Sequence, residues 1–398
     1  MWRLDEKTVV VGVSGGIAAY KSAELVRALV QAGACVQVVM TRNAQEFITP
    51  LTLQTLSGRP VATDTFSLTQ ESEIGHIRLA DTADAILIAP ATANVIAKMA
   101  HGLADDLLTT VLLASRAPVL VAPAMNVHMW ENALVQANVR RLREAGVRII
   151  EPGAGFLACG YEGAGRLADT EALVEAVRSA LTPPSLVGER VLVTAGPNRE
   201  AIDPVRFVSN RSTGKMGFAL AAAAARHAAE VVLVAGPVGL AAPAGVRRVD
   251  VTTAREMLAA VEVEIRKATI LVMTAAVADY RPDKVAKQKI KKSAGGLAIE
   301  LVRNPDILAT LGARKGKRLF VGFAAETNDV LENAARKLAA KKLDLMVAND
   351  VSRADAGFAV DTNAVTLLDR SGGREELPLM SKDDVAEAIV ARIAALRK

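Results

Sequence analysis

Short apolar runs alternate with helical patterns along the whole chain, and this alternation restricts the possible fold more than any other feature. The first run begins at Thr8 and ends in the glycine pair Gly15 and Gly16, and a helical pattern follows from Ala18 to Ala32. The same succession of an apolar run and a helical pattern recurs many times. Apolar strands that alternate with helices favour parallel pairing with helices on both faces of the sheet. The pattern therefore predicts an α/β protein.

The predicted strands are short and mostly apolar. They lie near residues 8–13, 35–40, 85–89, 119–122, 190–195, 231–234, 270–273, 319–323, 345–348 and 364–368. The main predicted helices cover residues 18–32, 94–99, 132–144, 170–181, 218–225 and 382–396. A break with two prolines, residues 182–188, separates two such series, and 398 residues exceed one core of ordinary size. We predict two open, mostly parallel sheets of the Rossmann-like or flavodoxin-like three-layer type in tandem, in domains 1–188 and 189–398.

Composition excludes several classes of protein. The chain has two cysteines, Cys35 and Cys159, and no CxxC or HExxH spacing, so a disulfide framework and a zinc site of those types are excluded. No uncharged apolar run reaches the roughly 18 residues that a membrane helix needs. The charged N-terminus leads directly into a strand pattern and does not resemble a signal peptide. We expect a cytoplasmic protein without a membrane partner.

Charge differs between the two halves. Residues 1–182 contain 15 Lys and Arg against 18 Asp and Glu, and the remainder contains 33 against 25. Nucleic acid is an unfavourable partner for the basic half, because there is no platform of interleaved aromatic residues and only residues 287–292 form a basic run. A small polyphosphate substrate fits the pattern better.

Polar residues follow the predicted strands of the first half. They are Ser14, Gly15, Gly16 and Ile17 after the first strand, Thr41 after the second, and Pro90, Ala91, Thr92 and Asn94 after the third. Ligands of such sheets bind beyond the carboxyl ends of the strands, where glycine permits close approach to phosphate. The GxGxxG fingerprint of dinucleotide sites is absent. A glycine pair alone could be a plain turn, but three polar strand ends at one edge predict a mononucleotide site.

Two further motifs stand beside this predicted site. Asn126 follows another strand among apolar neighbours and could otherwise be a helix cap. Cys159 lies in a glycine-rich loop, residues 153–165, that could close over a ligand. Loop glycines and exposure favour a reactive thiol at Cys159, whereas Cys35 lies within a strand and is interpreted as an inert buried residue.

These motifs together resemble the flavin-containing cysteine decarboxylases. The resemblance rests on residues 15–21, 75–77, 123–126 with Met129 and Trp130, and Cys159 with the glycines after it. Within that family it is closest to phosphopantothenoylcysteine decarboxylase of coenzyme A biosynthesis. The resemblance implies FMN at the strand ends, oxidation of the substrate thiol to a thioaldehyde, loss of carbon dioxide, and reduction of the resulting enethiol.

The resemblance also implies roles for individual side chains. His76 acts in the oxidation and decarboxylation half, Asn126 with Met125 holds the substrate carboxylate, and Cys159 donates the proton that completes reduction. On residues alone, His76 could equally be a hydrogen-bonded surface histidine. His101, His128 and His227 lack comparable neighbours and are interpreted as structural.

The second half carries a different motif. Residues 196–217 are rich in Gly, Arg, Asn and hydroxyl groups and precede an Ala-rich helix, a composition suited to an anion at a helix N-terminus. Residues 212–215 are similar to a Walker A motif, but Met216 replaces the required Ser or Thr and no glycine stands five residues before Gly214. The Walker A interpretation fails. The basic run by itself is typical of a solvated surface.

Nearly all of residues 190–398 resembles phosphopantothenate–cysteine ligase, so the whole chain resembles the bifunctional enzymes of bacterial coenzyme A biosynthesis. The resemblance implies that CTP activates 4'-phosphopantothenate as an acyl-cytidylate, which the amine of L-cysteine then opens. It assigns Asn210 and Arg206 to the acyl-cytidylate, and Lys289, Lys337 and Lys341 to the triphosphate. The cytidine is assigned to Met273, Thr274, Ala275, Pro305, Asp306, Ile307, Leu308 and Phe323.

The cofactors implied are FMN and Mg²⁺. Asp279 is assigned to the ribose or to a cation, and no motif identifies the other metal ligands. Asn198 stands where the family usually has Thr, which puts the detail of that loop in doubt. The resemblance also implies a homo-oligomer, with a trimer-based decarboxylase core and a dimeric ligase.

Two other functions compete with this one. A single NAD(P)-dependent oxidoreductase with two similar halves is disfavoured, because GxGxxG follows neither first strand. A flavin-binding regulatory protein without activity is disfavoured by the presence of His76, Asn126 and Cys159, and by the complete ligase half.

Overall fold

The computed structural model describes residues 4–65, 75–156, 161–292, 296–326, 328–350, 355, 357 and 360–397. The chain forms two compact units that divide between Thr182 and Pro183, whereas the sequence pattern places the break after residue 188. Among the helices of the described ranges, none combines the length and the hydropathy that a membrane-spanning helix requires.

The N-terminal unit is built on a parallel sheet. Its described strands are β1 (Thr8–Val13), β2 (Cys35–Met40), β3 (Ala85–Ala91), β4 (Val119–Pro123) and β5 (Arg148–Ile149), with the hairpin strands β6 (Gly153–Phe156) and β7 (Glu162–Arg166) outside the sheet. The spatial order is β2-β1-β3-β4-β5, and every adjacent pair is parallel. This is the flavodoxin-like order, in which ligands bind outside the carboxyl ends of the strands.

Helices connect these strands and cover the sheet. They are α1 (Ser22–Gln31), α2 (Pro50–Ser57), α3 (Gly75–Thr82), α4 (Ala93–His101), α5 (Leu107–Ala114), α6 (Val127–Glu131), α7 (Ala133–Glu144) and α8 (Thr170–Leu181), with 3₁₀ turns at Ile17–Lys21 and Arg42–Glu46. All seven residues of β3 are buried, as expected of a central strand that is covered on both faces.

The glycine-rich segment 153–165 differs from the prediction of a loop. Strands β6 and β7 form an antiparallel hairpin through Gly155 and Gly163, both in the positive-φ region that favours glycine. The alternating small residues of this segment gave no apolar run, so the sequence pattern did not indicate strands.

The C-terminal unit contains a larger sheet. Its strands are β8 (Arg190–Ala195), β9 (Arg199–Ala201), β10 (Phe207–Ser209), β11 (Glu230–Ala235), β12 (Val246–Asp250), β13 (Ile270–Met273), β14 (Tyr280–Pro282), β15 (Leu301–Arg303), β16 (Leu319–Glu326), β17 (Leu345–Asp350), β18 (Thr362–Asp369) and β19 (Arg374–Ser381). The main sheet has the order β12-β11-β8-β13-β16-β17-β18-β19, parallel as far as β17 and antiparallel after it. The pairs β9–β10 and β14–β15 form separate antiparallel ribbons.

The helices of this unit divide between the two faces of its sheet. They are α9 (Lys215–Arg226), α10 (Ala254–Glu264), α11 (Ile307–Gly312), α12 (Val330–Ala340) and α13 (Lys382–Arg397). One apolar core contains α9 and α13, and the other contains α10, α11 and α12. The predicted α/β class with two mostly parallel sheets is confirmed.

Candidate functional sites

Hydrogen bonds tie the predicted flavin residues together at the carboxyl edge of the N-terminal sheet. The Ser14 hydroxyl donates to the Pro90 carbonyl at 2.7 Å and accepts the Thr92 N–H at 3.0 Å. Thr92 is the N-cap of α4 and accepts the Val95 N–H. The loops after β1 and β3 are therefore held together by side-chain and backbone groups, as the prediction of convergence requires.

Two further features of this edge are a buried hydroxyl at Thr41 and a close backbone approach at Gly15. The Thr41 Oγ1 is buried and has no hydrogen-bond partner among the described residues, although the Thr41 N–H donates to the Val13 carbonyl at 3.0 Å. A Cβ added at Gly15 would lie 2.4 Å from the Asn43 Cβ. Glycine therefore permits the loop after β1 to approach the loop after β2. A buried hydroxyl without a partner is costly, which points to a ligand group as its partner.

The other predicted flavin residues have different exposure. Ala91 is buried, Asn94 is exposed on α4, and the Ile17 side chain is 59% exposed. The Ala124 N–H donates to the Ala91 carbonyl at 3.0 Å, which connects this edge to the segment that contains Met125 and Asn126. Asn126 caps α6 by accepting the His128 N–H at 2.8 Å.

The β6–β7 hairpin packs beside this segment. The Met125 N–H donates to the Gly165 carbonyl at 3.0 Å, and a Cβ at Gly165 would lie 2.3 Å from the Met125 carbonyl oxygen. Cys159 lies in the connection between β6 and β7, which is outside the described residues.

His76 does not join this edge. It lines a cavity of about 600 Å³ together with Thr8, Cys35, Gln37 and other residues. Thr8 and Cys35 begin β1 and β2, whereas Ser14 and Thr41 follow the ends of the same strands. Cys35, predicted to be buried, is half-buried and is a free cysteine.

A cavity of about 570 Å³ lies at the carboxyl edge of the C-terminal sheet. Twelve of the predicted substrate residues line it: Asn210, Met273, Thr274, Ala275, Asp279, Pro305, Asp306, Ile307, Leu308, Phe323, Lys337 and Lys341. The structure therefore brings together residues that are up to 131 positions apart in the sequence.

Buried polar side chains fix the loop after β13. The Ala275 N–H donates to the Thr194 Oγ1 at 3.2 Å, and the Ala278 N–H donates to the Asn198 Oδ1 at 2.7 Å. The Asn210 Nδ2 donates to the Ala276 carbonyl at 3.1 Å, and this positions Asn210 at the cavity wall. Asn198 is fully buried, so the residue that departs from the family pattern supports the loop.

The N-terminus of α9 faces the cavity. Residues 212–217 line it, and the N-cap Gly214 has a φ of +80°. A Cβ at Gly217 would lie 2.5 Å from both the Ala195 Cβ and the Thr274 Oγ1, so glycine permits α9 to pack directly on the strand ends. The backbone N–H groups at this helix end favour an anion.

Lys337 and Lys341 lie on the α11–α12 side of the cavity, and each has a carboxylate partner. The Lys337 Nζ is 2.6 Å from the Glu326 Oε1, and the Lys341 Nζ is 3.0 Å from the Asp306 Oδ2. Burial acts to raise the pKa of Asp306, but the Ala309 N–H and Lys341 outweigh it and hold that pKa below its ordinary value. Each of these lysines is therefore oriented by its carboxylate partner.

A second pair of lysines, Lys215 and Lys382, lines the same cavity on the α9–α13 side. Lys215 belongs to the motif 196–217 that favours an anion, but neither lysine was assigned to the site from the sequence. The Lys215 Nζ is 2.5 Å from the Asp361 Oδ1. The Lys382 side chain donates to the carbonyls of Gly357 and Val360, and burial together with Lys215 lowers the pKa of Lys382. No short motif contains both lysines, because they are 167 positions apart.

Asn349 was also missed. It is 9% exposed and lines the cavity, and its Oδ1 has no hydrogen-bond partner among the described residues. A buried carbonyl oxygen of this kind is available to a donor group of a ligand.

Two predicted site residues are not among those that line this cavity. The Arg206 guanidinium instead contacts Asp203 and donates to the Ile290 carbonyl at 2.9 Å. Lys289 is exposed on the adjoining basic run. Within the described ranges, no group of three His, Cys, Asp or Glu side chains could hold a metal ion, and Asp279 and Asp306 are the carboxylates at the cavity wall.

Family models match both units. Residues 3–182 match the family described as Flavoprotein, and residues 186–396 match the family described as DNA/pantothenate metabolism flavoprotein C-terminal domain. A solved structure, the C-terminal domain of Coenzyme A biosynthesis bifunctional protein CoaBC, covers 54% of this chain and 97% of its own, with 44% identity and a TM-score of 0.47.

Two curated relatives match nearly the whole length. Coenzyme A biosynthesis bifunctional protein CoaBC of Bacillus subtilis (strain 168) is 51% identical over 99% of this chain and 98% of its own length. The protein of the same name from Escherichia coli (strain K12) is 48% identical over 98% of this chain and 97% of its own length. The predicted family is confirmed, and the chain belongs to the coenzyme A biosynthesis bifunctional proteins.

Proposed function

We propose that this chain catalyses two successive steps of coenzyme A synthesis. The C-terminal unit joins 4'-phosphopantothenate to L-cysteine at the expense of CTP, and the N-terminal unit decarboxylates the product to 4'-phosphopantetheine. The proposal combines the family membership with the chemistry of the two strand-end sites.

One observation carries the assignment of the C-terminal unit: its cavity has a pair of lysines on each face of the sheet. Lys337 and Lys341 belong to the α11–α12 side, and Lys215 and Lys382 belong to the α9–α13 side. A ligase of this type must hold two anionic substrates at once, a nucleoside triphosphate and a phosphorylated acid. Two separate cationic pairs around one cavity fit that requirement.

We assign the nucleotide to the α11–α12 side. Residues 305–308 and Phe323 supply backbone groups and an aromatic ring beside Lys337 and Lys341. A divalent cation would be held by the Asp279 carboxylate and the phosphates, because Mg²⁺ commonly uses one or two carboxylates and retains waters. Asp306 is less available, since it pairs with Lys341 and caps α11.

We assign the phosphate of 4'-phosphopantothenate to the α9 side. The backbone N–H groups after Gly214 and the ammonium groups of Lys215 and Lys382 suit a phosphate. The Asn349 Oδ1 can accept a hydrogen bond from a hydroxyl or amide N–H of the pantothenate. In this orientation the substrate carboxylate extends towards the nucleotide.

The reaction then takes place between the two sides. The carboxylate attacks the α-phosphorus of CTP, the bond to pyrophosphate breaks, and an acyl-cytidylate forms. The cysteine amine attacks the acyl carbon, CMP leaves, and the amine loses a proton. Asn210, held by the Ala276 carbonyl, is placed to orient the acyl-cytidylate. The cationic side chains stabilise the negative charge that develops on the leaving phosphates.

The N-terminal edge fits FMN. The Thr41 hydroxyl, which has no hydrogen-bond partner among the described residues, the close approach at Gly15, and the linked Ser14 and Thr92 are suited to the polar groups of a mononucleotide. Bound FMN supplies the two-electron acceptor and donor that decarboxylation of a cysteine thiol requires. By the family resemblance, Asn126 with Met125 orients the substrate carboxylate and Cys159 donates a proton. Within one chain His76 lies at the opposite end of the strands from Ser14, so its role in the oxidation half rests on the family alone. We further propose a cytoplasmic homo-oligomer with trimer-based and dimeric contacts.

The first half-reaction tests the ligase assignment. We expect purified protein, given CTP and 4'-phosphopantothenate without cysteine, to release pyrophosphate and form an acyl-cytidylate that mass spectrometry detects. Added cysteine should convert it to CMP and a coupled product. Release of inorganic phosphate and CDP would overturn the proposal, because it would show transfer of the γ-phosphoryl group. Pantothenate without its phosphate serves as the matched control, and it should react poorly.

A further inference from the structure

The turn between β9 and β10 contains a buried carboxylate, Asp203. Its side chain has 0% exposure. The Oδ1 atom accepts the backbone N–H groups of Val205 and Arg206, each at 2.8 Å. The Oδ2 atom accepts the Arg206 guanidinium, with its Nε at 3.0 Å. The first two bonds form an Asx-type turn and would account for the carboxylate as a local structural device.

A third backbone donor comes from outside the turn. The Ile290 N–H donates to the Asp203 Oδ2 at 3.1 Å, across 87 positions of sequence. The carbonyl of the same residue accepts the Arg206 guanidinium at 2.9 Å. Both backbone groups of Ile290 are therefore held by the Asp203–Arg206 pair. A second link, from the Ala286 N–H to the Ile202 carbonyl at 3.0 Å, lies four residues earlier.

Ile290 is the apolar residue in the middle of the basic run 287–292, and Lys289 precedes it directly. The other end of the same ribbon, after β10, carries Asn210 and Arg211 to the wall of the substrate cavity. The β9–β10 ribbon thus connects the cavity wall to the backbone of the basic run. Strong hydrogen bonds from Arg206 keep the pKa of Asp203 well below its usual range, so the carboxylate is ionised throughout the neutral range.

We propose that Asp203 is a positioning residue for ligation, which fixes the backbone of the basic run through Ile290 so that Lys289 meets the nucleotide phosphates. The inference rests on the proposed CTP-dependent function and extends it. Arg206 also helps to fix the backbone of the basic run, because its guanidinium donates hydrogen bonds to both Asp203 and the Ile290 carbonyl.

The test compares three variants of the full-length protein with the wild type. Asp203→Asn removes the charge, and Lys289→Ala removes the ammonium. Ile290→Pro removes the N–H that reaches Asp203, and it also replaces the isoleucine side chain and restricts the backbone of Lys289. For each we expect KM for CTP to rise about tenfold while kcat falls by less than about twofold, since the lysine contributes to binding of the phosphates. Asp283→Asn is the matched control, because its exposed carboxylate has no hydrogen bond among the described contacts and the variant should retain the wild-type KM.

A double variant separates positioning from general stability. If Asp203 acts through Lys289, Asp203→Asn should add nothing to KM in the Lys289→Ala background. Hydrogen exchange of residues 286–292 should accelerate in Asp203→Asn and Ile290→Pro, but not in Lys289→Ala. An unchanged exchange rate, an unchanged KM in Asp203→Asn, or additive effects in the double variant would each overturn the inference. Failure of the wild-type protein to consume CTP would instead overturn the proposed function. The hydrogen-exchange rates of residues 286–292 would still test whether Asp203 fixes this backbone.

Discussion

At the carboxyl ends of its strands the N-terminal sheet presents Ser14, Thr41 and Thr92, whereas the C-terminal sheet presents lysines on both sides of a cavity. The net charges of the two halves, −3 and +8, follow the same division. Both sheets use the same edge, as open parallel sheets generally do. The comparison indicates that the fold supplies the location, and that the side chains around each strand-end site differ in the charge of the ligand that they favour.

The two sites also differ in how completely the described residues assemble them. Twelve predicted residues of the ligase line one cavity. In the N-terminal unit, His76 lines a different cavity from the Ser14 edge, and Cys159 is outside the described residues. The ligase assignment therefore rests mainly on geometry, and the decarboxylase assignment rests more on the family.

The largest effect should come from Glu387, which connects helices α9 and α13. Its carboxylate contacts the Arg226 Nε at 2.6 Å and the His227 Nε2 at 2.9 Å, and all three side chains are at most 10% exposed. We expect Glu387→Gln to lower the free energy of unfolding of the C-terminal unit by about 3 kcal/mol, because a buried ion pair is broken. Denaturant titration, with flavin fluorescence to follow the other unit, measures this.

The exposed Glu376, which pairs with Arg374, provides the control for that variant. Glu376→Gln should change stability by less than about 0.5 kcal/mol. Equal losses of unfolding free energy in the two variants would show that the buried Glu387 ion pair stabilises the unit no more than an exposed one. Loss of flavin in Glu387→Gln would contradict the independence of the two sites.

Asn210→Asp tests the contrast at the ligase cavity. A carboxylate at this position would repel the acyl-cytidylate phosphate, so we expect coupling to slow by about 100-fold. Decarboxylation of supplied phosphopantothenoylcysteine should be unaffected. Asn132→Asp makes the same change at an exposed helix cap of the other unit and should leave both reactions intact, since Asp caps as well as Asn. A wild-type coupling rate in Asn210→Asp would remove this residue from the site.

The two lysine pairs should be separable. Lys382→Met should raise KM for 4'-phosphopantothenate about tenfold with little change for CTP, and Lys337→Met should do the reverse, because each removes about one charge-assisted contact. Initial rates with each substrate varied in turn measure both effects. Equal changes for both substrates in both variants would contradict the division of the cavity into two sides.

The smallest effect should come from Thr41→Val in the N-terminal unit. Within the described part of the chain this hydroxyl has no hydrogen-bond partner, so its removal should stabilise the apoprotein or leave it unchanged. FMN affinity should fall about fivefold, a loss of about 1 kcal/mol. Isothermal titration of apoprotein with FMN measures the affinity. Thr55→Val, at an exposed helical position, should bind FMN normally. Unchanged affinity in Thr41→Val would remove the hydroxyl from the site.

The central strands were predictable from sequence because burial on both faces demands a continuous apolar run, as in 85–91 and 270–273. Strands β12 and β19 were missed for the opposite reason. Both lie at edges of the sheet, and Val246–Asp250 and Arg374–Ser381 contain several charged residues. The membership of the coenzyme A biosynthesis family and the enzymatic function within it are confirmed.

Much of the site was predictable because motifs of the family contain its residues. Residues 273–279 form one continuous segment at the end of β13, and residues 305–308 form another at the start of α11. The predicted residues of both segments line the cavity. Lys215 and Lys382 come together only when α9 and α13 pack on one face of the sheet, and Asn349 lies in β17. No local sequence pattern shows this arrangement. The direct contact of Arg206 with the acyl-cytidylate stays a prediction, since its guanidinium is bound to Asp203 here.

We propose above that one chain holds a CTP-dependent ligase and a flavin-dependent decarboxylase in series. The most direct measurement is product analysis after incubation of purified protein with 4'-phosphopantothenate, cysteine and CTP, ATP or no nucleotide. We predict 4'-phosphopantetheine, carbon dioxide and CMP with CTP, and little product without a nucleotide. Absence of 4'-phosphopantetheine and CMP with CTP, in a preparation loaded with FMN, would contradict the claim.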